Sequence, residues 1–189
     1  PTVKPVQGTV VLDDALRPVE PGSGTIGRVA RTGDIPAGYY KDPGKTAETF
    51  VEVDGTRYVI PGDMAMVEAD GSVTLLGRGS QSINSGGEKI FPEEVEAAVK
   101  SHPAVYDAVV VGVPDETWGE AVHAIVVPRA NCTITAEAVI AHCKGQIASF
   151  KAPRSVEIRT TSLPLSAAGK ILKTELRAPF WRDKDRGVN

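Results

Sequence analysis

The sequence predicts an α+β protein: a β-rich segment over residues 1–78, followed by a smaller α+β domain over residues 79–189. Two observations predict this class. Short apolar runs separated by Gly, Pro and Asp fill the first part, and helical spacing of apolar residues begins at Pro92. With 41% hydrophobic and 24% charged residues, 5% aromatic residues and a net charge of −3, the composition is that of a globular chain with an aliphatic core.

The first part of the chain is predicted to form short strands of an antiparallel sheet or small barrel. Val and Ile favour strands, whereas Gly, Pro and Asp favour the turns between them. The predicted strands are Gly8–Leu12, Thr25–Ala30, Thr56–Ile60 and Ser72–Leu76. Asp70-Gly71, between the apolar stretches Met64–Val67 and Val73–Leu76, predicts a hairpin.

The second part of the chain is predicted to begin with a helix over residues 92–101. Pro92 suits a first helical position, and Glu93 and Glu94 suit the positive end of the helix dipole. Together with Glu96 they are interpreted as a solvated helix start. The joint between the two parts is placed near Gly77–Ser82.

The later elements of this part follow from periodicity and capping residues. They are two buried strands joined by a turn at Pro114-Asp115-Glu116, a helix capped by Thr135, a strand and a last short helix. Their predicted positions are Val105–Val113, Ala121–Val127, a helix carrying Val139, Ile140 and Ile147, Ser155–Arg159 and Ile171–Arg177.

Several classes of protein are excluded by the sequence. A net charge near zero argues against a general nucleic-acid surface. The longest apolar runs, such as Ala108 to Val113, are too short to span a bilayer. Cys132 and Cys143 lack metal-ligand spacing, so no metal site is predicted and both are expected to be reduced thiols of a cytoplasmic protein. With neither an initiating Met nor a secretory signal, the chain is expected to be a fragment or a processed piece.

Asp63 and Arg78 form the first cluster with possible chemistry. A carboxylate can accept hydrogen bonds from two ribose hydroxyls while a guanidinium donates nearby, which is a way to hold a nucleotide sugar. Taken alone, the same two residues fit better an Asp in a turn at a strand end and an Arg that pairs with a surface acid.

Two further clusters are Gly86-Gly87, in Ile83-Asn84-Ser85-Gly86-Gly87-Glu88-Lys89, and Lys170, in Leu163-Pro164-Leu165-Ser166-Ala167-Ala168-Gly169-Lys170. Paired glycines let a ligand approach the backbone closely, although a tight loop before a helix has the same pattern. A loop lysine can enter a phosphate site, although most such lysines are solvated. His102, His123 and His142 are scattered and are assigned structural roles.

In this order and spacing, the three clusters resemble the adenylate-forming enzymes, which include acyl-CoA synthetases, luciferases and peptide-synthetase adenylation domains. The resemblance covers nearly the whole chain, from Gly24–Phe50 to Gly169-Lys170, and is strongest from Gly77-Arg78 to Pro92-Glu93-Glu94-Val95-Glu96. The pattern at Ile83–Lys89 is most similar to a fatty-acid or steroid-side-chain branch of actinobacterial acyl-CoA synthetases.

The resemblance implies a two-step ligase with a mobile C-terminal domain. A carboxylate attacks the α-phosphate of ATP, accompanied by Mg²⁺, to give an acyl adenylate and pyrophosphate, and CoA then takes the acyl group. By position, Asp63 and Arg78 would bind the ribose, and Lys170 would bridge carboxylate and phosphate oxygens. Acetylation of Lys170 would remove that charge.

The second step is implied to use other residues. Gly86 and Gly87 match glycines that line a pantetheine tunnel, and Trp118 matches a position that stacks on the CoA adenine. Lys151 and Arg154 lie where cations near the CoA phosphates are expected. Ser80 occupies the pivot of the domain rotation, where the family usually has Asp or Lys.

Residues 1–78 resemble the last, β-rich subdomain of the family's large N-terminal domain. The phosphate loop, the acyl pocket and most Mg²⁺ contacts of that domain have no counterpart in this sequence. The chain alone is therefore expected to be inactive. Two alternatives stay open: a binding module for CoA or a partner protein, and the end of a peptide-synthetase adenylation domain. The second would normally continue into a carrier domain, whereas this chain ends in the polar tail Arg182–Asn189.

Overall fold

The computed structural model describes residues 2–182, which form two compact units divided between Ser80 and Gln81. Residues 183–189, most of the polar tail discussed above, lie outside the described range. The predicted α+β class is confirmed, because both units combine mostly antiparallel sheet with short helices. Assignment of residues 1–78 to the end of a larger N-terminal domain stays a prediction.

The first unit is a sheet whose described strands number seven, within residues 2–78. They are β1 (Thr2–Val3), β2 (Thr9–Leu12), β3 (Gly27–Arg31), β4 (Phe50–Val53), β5 (Thr56–Val59), β6 (Asp63–Val67) and β7 (Val73–Arg78), with helix α1 (Pro43–Thr49) before β4. The order is β1-β7-β6-β3-β5-β4, with β2 beside β3. The hairpin predicted at Asp70-Gly71 is confirmed by antiparallel pairing of β6 with β7.

The first unit is stabilised by two small aliphatic clusters. Val11, Val19, Ala65 and Val73 form one of them, and Leu12, Ala30 and Ile60 form the other. Helix α1 was not predicted. Its start is visible in the sequence in hindsight, because Asp42 caps the backbone N–H of Lys45 and Pro43 takes the first helical position.

The second unit is a sheet with helices on both faces. Its elements are β8 (Ile83–Ser85), β9 (Glu88–Ile90), α2 (Pro92–Lys100), β10 (Val105–Asp115), β11 (Gly119–Pro128), α3 (Ala136–Gln146), β12 (Ser155–Ile158) and α4 (Lys173–Trp181). The order is β10-β11-β8-β9, and β12 lies parallel to β11. None of the helices found between residues 2 and 182 is long and apolar enough to cross a bilayer.

Alternate side chains of β10 explain why its sequence is a continuous apolar run. Ala108 and Val110 belong to the main core with residues of α2 and α3, whereas Val109 packs with Leu176 of α4. Val111 and Val113 pack near Phe180, also on α4. A strand covered on both faces cannot show the apolar and polar alternation of a half-exposed one.

Two predicted boundaries in this unit are wrong. The turn between the long strands lies at residues 116–118, because Pro114 and Asp115 still pair with Glu120 and Gly119. The last helix begins at Lys173 instead of Ile171 and continues through Pro179 to Trp181. Ile171 instead forms a β-bridge with Leu165, which closes the loop before the helix.

Candidate functional site

Asp63 and Arg78 of the first unit are brought together by the β6–β7 hairpin. They are paired residues in its register, and the Arg78 Nε donates to Asp63 Oδ1 at 3.0 Å. A second guanidinium nitrogen donates to the Pro61 carbonyl at 3.1 Å. The Asp63 side chain keeps 40% of its surface exposed, so an oriented carboxylate with a cation beside it is accessible to a ligand hydroxyl.

Ser80, the predicted pivot, lies in the middle of a single 3₁₀ turn, Gly79–Gln81. Its side chain is exposed, and the two compact units divide directly after it. The Gly79 N–H donates to the Gly62 carbonyl at 3.0 Å, which ties the residue before Ser80 to the first unit. Short 3₁₀ turns between packed units are common at hinges.

Gly86 and Gly87 form the two-residue turn of the β8–β9 hairpin, not a loop before a helix. Their φ values of +62° and +88° are those that a tight hairpin turn requires and that other residues rarely adopt. Gly86 also lies against Trp118: a Cβ at Gly86 would be 2.5 Å from the indole Cε3. The Gly86 N–H donates to the Trp118 carbonyl at 2.9 Å.

Trp118 is held on the turn that joins β10 to β11. Asp115 Oδ1 accepts the backbone N–H groups of Thr117 and Trp118, each at 2.9 Å, so the turn is ordered by one carboxylate. The Arg154 guanidinium lies over the indole, 4.6 Å from its centroid. One surface thus combines the aromatic face of Trp118, the guanidinium of Arg154 and the backbone of Gly86, which has no side chain.

Lys151 does not join that surface as an unpaired cation. Its ammonium donates to both oxygens of Glu94, each at 2.8 Å, and links the loop before β12 to the start of α2. Of the two cations predicted to lie near the CoA phosphates, Arg154 is therefore the one that contacts Trp118.

The interpretation of Glu93, Glu94 and Glu96 as a solvated helix start is wrong. Glu94 pairs with Lys151, and Glu96 accepts from both Lys173, at 2.8 Å, and the Val110 backbone N–H, at 2.9 Å. Glu93 lies 3.6 Å from the same Lys173 ammonium. The three carboxylates anchor other parts of the unit to α2.

Lys170 lies at the end of a tight loop before α4. Gly169 adopts φ +74°, and its N–H donates to the Ser166 carbonyl at 2.9 Å, while Ser166 N–H donates to the Lys170 carbonyl at 2.8 Å. The backbone of Lys170 is therefore fixed, whereas its side chain is exposed. Across the part of the chain that is described, no carboxylate pairs with its ammonium. A rigidly mounted, unneutralised cation suits a phosphate or carboxylate ligand.

Lys173 and Glu120 are two important residues that the sequence reasoning missed. Lys173 anchors the start of α4 to α2, and Glu120 is a carboxylate that is only 2% exposed. A signal for Glu120 was present, because an acid at the start of an otherwise apolar strand must find buried partners.

In the second unit, burial shifts the pKa values of two titratable side chains, His123 and Cys143. His123 is buried, with its Nδ1 2.7 Å from the Ser155 hydroxyl, and this burial lowers its pKa while Glu157 opposes the shift. Burial raises the pKa of the Cys143 thiol, whereas Cys132 is exposed. No three His, Cys, Asp or Glu side chains are grouped as metal ligands within residues 2–182.

A comparison with protein families matches residues 94–170 to the AMP-binding enzyme C-terminal domain. Among curated relatives, the 3-oxocholest-4-en-26-oate–CoA ligase of Rhodococcus rhodochrous is 58% identical over 170 residues, which are 90% of this chain and 30% of that protein. A fatty acid–[acyl-carrier-protein] ligase of Streptomyces coeruleorubidus is 40% identical over 95% of this chain and 33% of its own length. The chain thus spans about a third of such relatives.

A comparison with solved structures also finds similar proteins, and this chain again spans about a third of their length. The ATP-bound MatB of Rhodopseudomonas palustris aligns with a TM-score of 0.79 at 32% identity, over 93% of this chain and 34% of that chain. An anthranilate–CoA ligase in complex with anthranoyl-AMP aligns with a TM-score of 0.81 at 30% identity, over 94% of this chain and 34% of its own.

Proposed function

Since residues 94–170 belong to the AMP-binding enzyme C-terminal domain family, we propose that this chain is the C-terminal portion of an AMP-forming acid–thiol ligase. Its substrates would be ATP, CoA and a fatty acid or a related lipid acid such as a steroid side-chain acid. The names of the relatives support this substrate class, because they include fatty-acid and 3-oxocholest-4-en-26-oate ligases.

In the first step, a carboxylate oxygen attacks the α-phosphorus of ATP, an acyl adenylate forms, and pyrophosphate leaves. Negative charge on the attacking carboxylate and on the phosphate must be held together in the transition state. The Lys170 ammonium would donate hydrogen bonds to both, and Asp63 would accept from the ribose hydroxyls while Arg78 keeps its carboxylate in place. Mg²⁺ neutralises phosphate charge when bound, and we assign it mainly to the large N-terminal domain.

In the second step, the CoA sulfur attacks the acyl carbonyl, the thioester forms, the thiol proton is released, and AMP leaves. Gly86 and Gly87 would let the pantetheine arm pass close to the backbone. Trp118 would stack on the adenine, and Arg154 and Lys151 would face the CoA phosphates, with Lys151 first leaving Glu94 or sharing with it. The two steps would use different positions of the second unit, with Ser80 as the pivot.

The observation that carries this proposal is the state of Lys170. Lys151 and Lys173 are held by carboxylates at 2.8 Å, but the Lys170 ammonium has no such partner among the described residues. Its backbone is nevertheless fixed by two hydrogen bonds to Ser166. A module that only binds CoA or a partner protein does not need a phosphate-directed lysine mounted in this way.

The test uses the full-length protein that contains this chain. ATP–pyrophosphate exchange is measured with a long-chain fatty acid and with 3-oxocholest-4-en-26-oate, for the wild type, Lys170→Ala and Lys144→Ala. Lys144 is an exposed lysine on α3 and is the matched control. We expect exchange to fall by about 10²- to 10³-fold in Lys170→Ala and to stay unchanged in Lys144→Ala.

Thioester formation from preformed acyl adenylate is measured separately, with CoA and with an acyl carrier protein as acceptors. We expect Lys170→Ala to retain transfer to CoA. Exchange that survives in Lys170→Ala would reject the role of Lys170. If the wild type transfers the acyl group only to the carrier protein, that protein replaces CoA as the proposed acceptor. If the wild type reacts with neither acid, the lipid-acid substrate class is rejected. The chain alone, residues 1–189, is expected to be inactive in both assays.

A further inference from the structure

Glu120 is a buried carboxylate at the start of β11, next to the Trp118 turn, and it is 2% exposed. A charged group in such a place is tolerated only where cations or N–H donors surround it. The partners of its two oxygens lie in two different elements. This separation gives the residue a role beyond local stability.

One oxygen of Glu120 faces the glycine hairpin. Oε2 accepts the backbone N–H of Asn84 at 3.1 Å. Asn84 lies in β8, two residues before Gly86. Strand β8 pairs with β11 at Ser85 and Gly119, and the Gly86 N–H donates to the Trp118 carbonyl. The Glu120 carboxylate adds a further fixed point to the hairpin that carries Gly86 and Gly87.

The other oxygen faces helix α4. Oε1 accepts from Arg177 Nη2 at 3.1 Å, and Arg177 Nε donates to the Gly112 carbonyl at 3.0 Å. The same carbonyl accepts from Trp181 Nε1 at 2.9 Å, and the guanidinium lies 4.2 Å from the Trp181 ring centroid. Three side-chain groups thus meet where α4 crosses the sheet.

The Glu120 carboxylate fits against the sheet because the neighbouring residue of β10, Gly112, has no side chain. Gly112 lies beside it, and a Cβ at Gly112 would be 2.8 Å from Glu120 Oε2. Gly112 is in the middle of β10, between Val111 and Val113, where a strand former would otherwise be expected. The missing side chain of Gly112 therefore provides the space that the Glu120 carboxylate occupies.

Helix α4 in turn follows the Lys170 loop directly. It begins three residues after Lys170, and the Leu172 N–H just before it donates to the Pro164 carbonyl at 2.9 Å. A shift of α4 therefore moves the loop on which Lys170 is mounted. The Glu120 carboxylate connects this helix to the hairpin of Gly86 and Gly87.

We propose that Glu120 is a positioning residue shared by both steps: one carboxylate oxygen sets the Gly86-Gly87 hairpin, and the other sets α4 and with it the Lys170 loop. The inference rests on the proposed function, because it assigns Lys170 to the first step and the hairpin to the second. Glu120 itself touches neither substrate in this assignment.

The decisive change is Glu120→Gln in the full-length protein. Glutamine has the same shape, but one of its ends is an NH₂ donor, which must face either the Asn84 N–H or the Arg177 guanidinium. One of the two connections is then lost, and the other is weakened because a neutral amide oxygen replaces the carboxylate. Arg177→Met removes the connection to α4 alone, and Lys100→Met, which breaks the exposed 2.8 Å pair with Asp107, is the matched control.

Pyrophosphate exchange and thioester formation from preformed acyl adenylate are measured for each variant, with KM for CoA and kcat determined separately. We expect Glu120→Gln to slow exchange and to raise KM for CoA, each by roughly 10-fold to 100-fold. Arg177→Met should slow exchange by a similar factor and leave KM for CoA unchanged. Lys100→Met should match the wild type in both.

Local order supplies a second readout. Amide hydrogen exchange in the full-length protein should rise at residues 83–87 and 173–181 in Glu120→Gln, and only at 173–181 in Arg177→Met. If Glu120→Gln does not fold, the kinetics of Arg177→Met decide. Slower pyrophosphate exchange with an unchanged KM for CoA supports the proposal. In Arg177→Met, equal loss in both steps, or no loss in either, overturns it. A wild type inactive in both assays rejects the proposed function, whereas an active wild type matched by Glu120→Gln rejects this inference alone.

Discussion

Gly86 and Gly87 are neighbours in one turn and both have positive φ, yet only at Gly86 would an added side chain meet another residue. A Cβ at Gly86 would be 2.5 Å from the Trp118 ring, whereas a Cβ at Gly87 would have nothing within 4 Å. The backbone strain of a side chain is shared by both positions, so the contact with Trp118 is what distinguishes them.

We therefore predict that Gly86→Ala impairs thioester formation more than Gly87→Ala does. The methyl at position 86 would push Trp118 away from Arg154 and, under the proposed function, narrow the path of the pantetheine arm. Transfer from acyl adenylate to CoA should fall by about 10-fold or more relative to Gly87→Ala, with pyrophosphate exchange kept in both. Equal effects of the two variants on transfer would contradict the role of the Trp118 contact.

A second prediction separates the two cations assigned to CoA. Arg154 lies on Trp118, whereas Lys151 is already neutralised by Glu94 at 2.8 Å. Arg154→Met should raise KM for CoA by about two- to fivefold, the size expected from losing one exposed charge pair with a phosphate. Lys151→Met should change KM for CoA less, and steady-state kinetics at saturating ATP and acid measures both. A larger effect at Lys151 would reverse the assignment.

At the residue scale, the sequence identified candidate site residues but not their partners. The close approach of Gly86 to Trp118 depends on the pairing of Ser85 with Gly119, which no local pattern encodes. The error at Glu94 and Glu96 has the same cause. Their partners Lys151 and Lys173 are far away in sequence, and helix-dipole reasoning considers only the first turn.

At the scale of elements, strand β11 carries a buried His123 against helix α4. Its ring lies 4.8 Å from the Phe180 ring, and its Nδ1 lies 2.7 Å from the Ser155 hydroxyl of β12. Its Nε2 is buried without a partner among the described residues. Protonation of His123 would place a charge, and a donor without an acceptor, between the sheet and α4.

The third prediction follows from the direction of the His123 pKa shift. Burial lowers the pKa of His123 in the folded protein, so the unfolded chain binds more protons as the pH falls through about 6.5. The free energy of unfolding of the full-length protein should decrease from pH 7.5 toward pH 5.5. The decrease stops below the folded-state pKa.

His123→Gln removes this titration but keeps a polar group near Ser155. Urea titrations at several pH values should give a flatter dependence on pH for the variant than for the wild type over this interval. The same slope in both proteins would show that His123 titrates alike in the folded and unfolded states.

The elements themselves were predicted well where one residue pattern dominates. The helix from Pro92 and the Asp70-Gly71 hairpin are correct because their caps and turns are local. The final helix was misplaced because Ile171 follows the apolar spacing but is used in a bridge to Leu165. The predicted helix ends at Arg177, whereas the observed helix continues through Pro179 to Trp181, with Phe180 packed at the sheet.

At the scale of the whole molecule, each unit holds a different part of the assigned chemistry. Asp63 and Arg78 belong to the first unit, and Lys170, Gly86 and Trp118 belong to the second. Within the second unit, Gly86 and Lys170 lie on separate loops that are connected through Glu120. Under the proposed function, Lys170 serves the first step and Gly86 serves the second, and we propose that the two steps use different positions of the second unit.

The fourth prediction concerns that change. Ser80 lies in the 3₁₀ turn Gly79–Gln81 at the division between the units and has an exposed side chain. Ser80→Pro fixes φ near −65° and disfavours the helical region for Gly79, whereas Ser80→Ala leaves both torsions free. If rotation at Ser80 separates the two steps, Ser80→Pro should retain one half-reaction and lose the other, and Ser80→Ala should retain both.

Overall thioester synthesis would then fall by about 10-fold or more in Ser80→Pro although one half-reaction runs at its normal rate, because turnover needs both positions. Pyrophosphate exchange and transfer from preformed acyl adenylate, measured on the same preparation of the full-length protein, give the comparison. Loss of both half-reactions would point to a folding defect, which thermal denaturation detects. Normal overall synthesis in Ser80→Pro would place the pivot at another residue, since the proline cannot follow a large change in φ.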